Sequence, residues 1–384
     1  MKRLTWLGAV LALAGCDGGG DLSAEAAPVL ETYANIVHAS YEDSLSTAQA
    51  LDGQLDALVA DPTEGSLGDA RTAWLAARSP YGQTEVYRFY GGPIEQGDPE
   101  REGALNAWPM DESVIDYVFD PVMGTVVSGG IVNDPSVTLD QASLEAANGV
   151  GGEENVTTGY HAIEFLLWGQ DNPATSGPGE RPATDFSEAE NADRRGQYLQ
   201  VTSDILLEDL GELVADWAPG SEDNYRAGFV SGDARDGLRA MLIGMGSLSG
   251  AELAGERMNV AFMTMDQEDE HSCFSDNTHN DILENARGIR NVYLGRYARV
   301  DGSVVEGASL SDLVAARDPD LDATMRAQLD ASLAAAEAIP APFDEAITGA
   351  GRDQVQAAID ALRAQTTTIV EIGALFELEL NLEE

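Results

Sequence analysis

From Leu30 to Leu58 the apolar residues fall at steps of three and four: Leu30, Tyr33, Val37, Tyr41, Leu45, Ala48, Leu51, Leu55 and Leu58. No other feature restricts the chain so strongly. Such steps bring the side chains to one face of a 3.6-residue turn, so the segment predicts one long amphipathic helix. The period returns in "LGDARTAWLAARSPYGQTEVYRF", with a break near Pro80. It returns again from Glu188 to Trp217, where Tyr198, Val201, Ile205, Leu206, Leu210, Leu213 and Val214 form an inner face. A helix with small residues follows in "LRAMLIGMGSLSGAELAGERMNVAFM", and two more, separated by Pro340 and Pro342, close the chain. Strand alternation is almost absent, and residues 121–152 read as loop and turn. The expected fold class is all-α.

The chain has 384 residues, 43% of them hydrophobic, enough for two ordinary domains with sizeable cores. Each half runs long helix, second helix, then a polar loop with ionisable residues around a histidine. This faint pseudo-repeat suggests two four-helix-bundle-like domains, residues 28–187 and 188–384.

Ahead of them, Lys2 and Arg3 precede an apolar run from Leu4 to Leu13 that ends in Leu-Ala-Gly-Cys. The run is too short to span a bilayer and has the arrangement of a lipoprotein signal peptide. Residues 1–15 are then the signal and Cys16 the lipidated cysteine, with residues 16–27 a Gly-rich tether. The expected location is the cell envelope, periplasmic or on the outer surface, with the membrane leaflet open. Cys273 is the remaining thiol, so an internal disulfide is not available to the mature chain.

Acidic residues outnumber basic ones 67 to 21, for a formal net charge of −46, and Lys2 is the sole lysine. Nucleic acid is excluded as a partner, because binding it takes basic residues that displace counterions. Such a surface attracts cations. Most of these carboxylates nevertheless need no role beyond solvating the outside of the molecule.

Against this background "GYHAIEFLLWGQD", residues 159–171, sets His161 and Glu164 in an apolar stretch. Thr157 or Thr158 can cap a helix there and Gly169 can end it. Three residues turn a helix by roughly 300°, so the imidazole and the carboxylate share a side. Helical proteins present first-row metals in this way, although the two groups could also simply pair with each other. A second cluster, "MDQEDEHSCFSDNTHND", carries Glu268, Asp269, Glu270, His271, Asp276 and His279. Hard oxygen donors with one or two imidazoles suit iron. Cys273 reads as a small buried hydrophobe, His279 as part of a helix start, and His38 as a partly buried histidine beside a core position.

Gly159, His161 and Glu164 match a Gly-x-His-x-x-Glu signature, and with "AWLAARSPYGQTEVYRFYGGPIE", "NAWPMDESVIDY", "EHSCFSDNTHNDI", "GIRNVYLGRY" and "PAPFD" the chain resembles the imelysin-like family in its iron-regulated branch. The resemblance runs from about residue 28 to the end. It implies two helical bundles with the motif near their interface, in a periplasmic protein or lipoprotein linked to iron acquisition. It also implies a cleft to which Glu85, Arg88, Trp108, Asp111 and Gly159 contribute, with Asp116 a further candidate; an arginine there could hold an anionic chelate such as citrate or a haem propionate. The family was first described as a peptidase. A His-Glu-x-x-His site is missing, however, and the inverted form fails because Phe165 follows Glu164. The expected function is therefore binding of iron or an iron complex at His161 and Glu164, with Glu268 and His271 as further ligands. The alternatives are a zinc peptidase, a haem binder with His161 as axial ligand, and an adaptor for a transporter or receptor.

Overall fold

A computed structural model describes residues 22–97, 100–120, 122–171 and 177–382. The signal segment and Cys16 lie outside the described residues. The first half holds α1 (Leu22–Ala60), α2 (Glu64–Gly82), α3 (Arg101–Leu105), the hairpin β1 (Val118–Asp120) and β2 (Thr125–Val127), α4 (Gly130–Asn133), α5 (Gln141–Ala147) and α6 (Gly159–Trp168). Then come α7 (Ala192–Trp217), α8 (Tyr225–Ser231) and α9 (Ala234–Ser247), which runs into a π-helical stretch from Leu248 to Val260 and then α10 (Ala261–Thr264). The rest comprises α11 (Thr278–Leu294), the hairpin β3 (Arg296–Ala298) and β4 (Val304–Glu306), α12 (Leu310–Ala315), α13 (Pro319–Glu337), α14 (Phe343–Thr348) and α15 (Arg352–Leu375). The all-α class holds, and the strands form two small antiparallel hairpins.

Helix α1 packs on α2 and α7 along one side and on α8 and α9 along another. Its burial accordingly spreads beyond a single stripe: Val29, Ala34 and Ile36 are as enclosed as Leu30, Tyr33 and Val37. It also starts at Leu22, taking in residues 22–27 of the stretch expected to be tether, and Ala26 is fully buried. Helix α2 does not break at Pro80 but carries it inside and ends two residues later, where the buried Tyr81 ring meets Tyr160 at 4.8 Å.

Helices α1, α2, α6 and α7 contact one another, and α11, α13, α15 and the π-helical stretch form a second group. Helix α7, which follows the expected boundary at residue 187, sides with the first group through α1 and α6. One core cluster draws on both groups, and a smaller one fills the space between the π-helical stretch, α11 and α13–α15. The groups meet where α6 faces the loop ahead of α11.

Candidate metal centre

Helix α6 is buried along its whole length. Its first residue, Gly159, has φ +83°, and a Cβ there would lie 2.5 Å from the Leu105 carbonyl oxygen and 2.6 Å from that of Ala104. Glycine therefore lets α6 start directly against the end of α3. Neither threonine ahead of it caps the helix through its side chain. Thr158 Oγ1 donates to the Ala104 carbonyl and Thr157 Oγ1 to that of Leu144, so they tie α6 to α3 and α5.

One turn into this helix, His161 Nδ1 lies 2.8 Å from Glu164 Oε2. The other carboxyl oxygen, Oε1, accepts from the Ser275 backbone N–H at 3.0 Å and from Ser275 Oγ at 2.6 Å. A parallel arrangement stands opposite. His271 Nδ1 lies 2.8 Å from Asp281 Oδ2, which also accepts from Ser272 Oγ at 2.5 Å. Asp281 Oδ1 accepts from Asn277 Nδ2 at 3.2 Å and faces Arg78 Nη2 at 3.3 Å. The two imidazole rings are 4.7 Å apart between centroids and inclined at 77°. Both Nε2 atoms are buried and have no hydrogen-bond partner among the described residues.

Burial and the Arg78 charge bring His161 down to about 3, and burial lifts Glu164 to about 8 against the Ser275 hydrogen bond. The contact between them is thus a hydrogen bond between neutral groups rather than a salt bridge. Burial, followed by Arg257 and the neighbouring His161, also pulls His271 well below the usual imidazole range. For Glu85, burial pushes upward, but Arg257 and Arg88 overcome it and hold the carboxyl at about 2.

Of the expected residues, the structure brings His161, Glu164 and His271 together. Both oxygens of Glu164 are engaged, so its position orients His161. Glu268 is exposed in the turn Gln267–Asp269, its amide bonded to Asp266, and does not join the pair. Trp108 packs edge-on to His271 at 5.5 Å and donates Nε1–H to the Glu270 carbonyl. Glu85 is buried between Arg257 and Asn106, with Arg88 beside it. Asp111 caps the turn at Ser113. Asp116 lies in a separate buried cluster with Arg181 and Arg195. His279 sits at the start of α11, His38 faces Glu42 at 3.8 Å, and the Cys273 thiol is buried.

Sequence reasoning missed Asp281, Ser275, Arg78 and Arg257. Arg78 left a trace, since it interrupts the inward series Leu67, Ala70, Trp74, Ala77 and Tyr81 with a charge that had to find a partner.

The imelysin family model matches residues 37–369. The chain belongs to the imelysin family. Iron-regulated protein A of Synechococcus elongatus is 26% identical over 343 residues, 87% of this chain and 82% of that protein. A crystal structure from Parabacteroides distasonis, assigned as an iron-regulated protein A precursor, aligns with a TM-score of 0.71 at 22% identity, covering 94% of this chain and 97% of that one. An imelysin-like protein from Psychrobacter arcticum aligns with a TM-score of 0.64 at 12% identity, over 94% and 98% of the two chains. At these identities the two structures establish the shared imelysin fold.

Proposed function

We propose that this imelysin-family protein binds iron as cargo at His161 and His271, in a cell-envelope protein anchored through lipid at Cys16 and serving iron acquisition. The observation that carries the reading is the pair of buried Nε2 atoms without partners, each on a ring whose Nδ1 rests against a carboxyl group. A buried polar atom left unpaired costs free energy. A carboxylate on Nδ1 is also how metal-binding histidines are oriented. At His271 the Asp281 carboxylate keeps the proton on Nδ1 and frees the Nε2 lone pair, and at His161 metal binding would require Glu164 to ionise with the shared proton on Nδ1. Supporting this, the Synechococcus relative is named for its regulation by iron.

The donor set fits an ion that brings its own remaining ligands. Among the described residues no group of three or more His, Cys, Asp or Glu side chains is arranged to hold a metal. His161 and His271 would supply two nitrogens, Glu164 and Asp281 would orient them, and neutral imidazoles suit iron. Weak protein coordination also suits cargo that must be released again.

The test is iron stoichiometry and affinity of the purified protein beside His161→Ala and His271→Ala. Each single variant is expected to lose most of the binding while keeping the helical circular dichroism. Binding by the two variants as tight as that of the unsubstituted protein would refute the site. Replacing Cys16 with Ser should move the protein from the membrane to the soluble fraction; membrane retention by that variant would remove the anchor.

A further inference from the structure

A cleft with His271 among its lining residues has a volume of about 710 Å3, in the range of small-molecule sites. Five glutamates line it, Glu100, Glu102, Glu153, Glu252 and Glu256, against Arg88 and Arg257. Both arginines are already neutralised. Arg88 Nη1 lies 3.3 Å from Glu85, 3.2 Å from Glu102 and 3.6 Å from Glu252. Arg257 Nη2 lies 2.6 Å from Glu85 and 2.9 Å from Glu252, and its Nη1 donates to Asn285. The Arg257 Nε–H is unpartnered among the described residues, but the guanidinium already pairs with two carboxylates, so a further carboxylate would add to a local excess of negative charge. Burial raises Glu102, and the other four glutamates by themselves outnumber the two arginines.

We infer that the histidine pair is loaded by a small hydrated metal cation entering through this cleft, and that the cleft rejects anionic metal complexes, ferric citrate and haem among them. A concave wall of one sign concentrates the field, so it attracts a divalent ion and opposes a polycarboxylate. The unpartnered Nε2 of His271, itself only 2% exposed, gives the cation an end point. Arg88, which the sequence offered as a clamp for a chelate, already faces three glutamates through Nη1, so its charge is more than balanced. The inference rests on the iron-binding reading and adds the form in which the metal arrives.

Titration calorimetry of the purified full-length protein separates the two claims. The probes are Fe2+ under anaerobic conditions in a non-coordinating buffer, ferric citrate, and haemin, each at low and high salt. The expected result is stoichiometric binding of Fe2+ that weakens with salt, as screening of the wall requires, and binding of ferric citrate and haemin weaker by at least about 100-fold. The paired change Glu153→Gln with Glu256→Gln, at two exposed positions, should weaken Fe2+ by roughly 10-fold while leaving the helical signal intact. Ferric citrate or haemin binding as tightly as Fe2+ would overturn the inference and leave the iron-binding reading standing. Binding of none of the three by folded protein would overturn both.

Discussion

Asp281 is expected to govern both the stability of the centre and its affinity for iron. It is 2% exposed and serves four partners: the His271 ring, Ser272, Asn277 and the buried Arg78. Changing Asp281→Asn keeps the volume but removes the charge and turns one acceptor into a donor. Whichever way the new amide points, it faces donors, either His271 and Ser272 or Asn277 and Arg78. Two buried donors left unpaired cost about 1–3 kcal/mol each, and breaking a buried ion pair from one side costs about 3–5 kcal/mol. The estimate for Asp281→Asn is therefore a loss of about 3 kcal/mol, and Asp281→Ala belongs at the top of that range. Loss of the carboxylate that orients a metal-binding histidine lowers affinity by about 10–100-fold. Urea unfolding followed by circular dichroism measures the first effect, and iron titration the second. Adding Arg78→Met closes a double-mutant cycle in which contacting residues should couple by at least about 1 kcal/mol. A stability change below about 1 kcal/mol, with unchanged affinity, would show that Asp281 neither orients His271 nor neutralises Arg78.

Three further outcomes follow from the same geometry. Gly159→Ala should cost at least about 2 kcal/mol, because the left-handed conformation alone costs an L-residue roughly 1–2 kcal/mol and the added Cβ meets two backbone carbonyl oxygens; a thermal shift of a degree or less would contradict it. Glu164 has its pKa raised to about 8 in the fold, from 4.5, so the native state holds a proton that the unfolded chain has released across that interval. Its contribution to metal-free stability is complete below the lower value and is lost as pH rises through about 8. Comparing unfolding free energies from pH 5 to 9, Glu164→Gln should show a shallower alkaline decline than the wild type, and parallel curves would count against a neutral carboxyl. Asp116→Ala, which removes the carboxylate shared by the buried Arg181 and Arg195 and leaves Asp185 to face both, should destabilise by about 3 kcal/mol with iron affinity unchanged, since the cleft is lined by other residues; a fall in affinity in the folded variant would link the two clusters.

Helix content and the facing of His161 toward Glu164 follow from local rules, and both were legible in the sequence. The steps of three and four in α1 and α7 fix a helical period whatever the neighbours do, and three residues of helix bring two side chains together wherever the helix lies. The acidic excess and the mismatch with zinc-peptidase patterns are also properties of the chain as written. The neighbour of the His161 ring is not. Glu164 and Ser275 are 111 positions apart, and only the docking of α6 against the loop before α11 sets the His161 ring beside that of His271. Docking also decided which acids matter. Glu268 and Asp281 flank His271 in the chain and looked alike as charges, but the turn at Gln267–Asp269 leaves Glu268 in solvent while the first turn of α11 carries Asp281 inward to Arg78. Local periodicity reports what a segment forms; which buried charge finds a partner is a property of the packed interface, where desolvation makes each unpaired group costly enough to select a single arrangement.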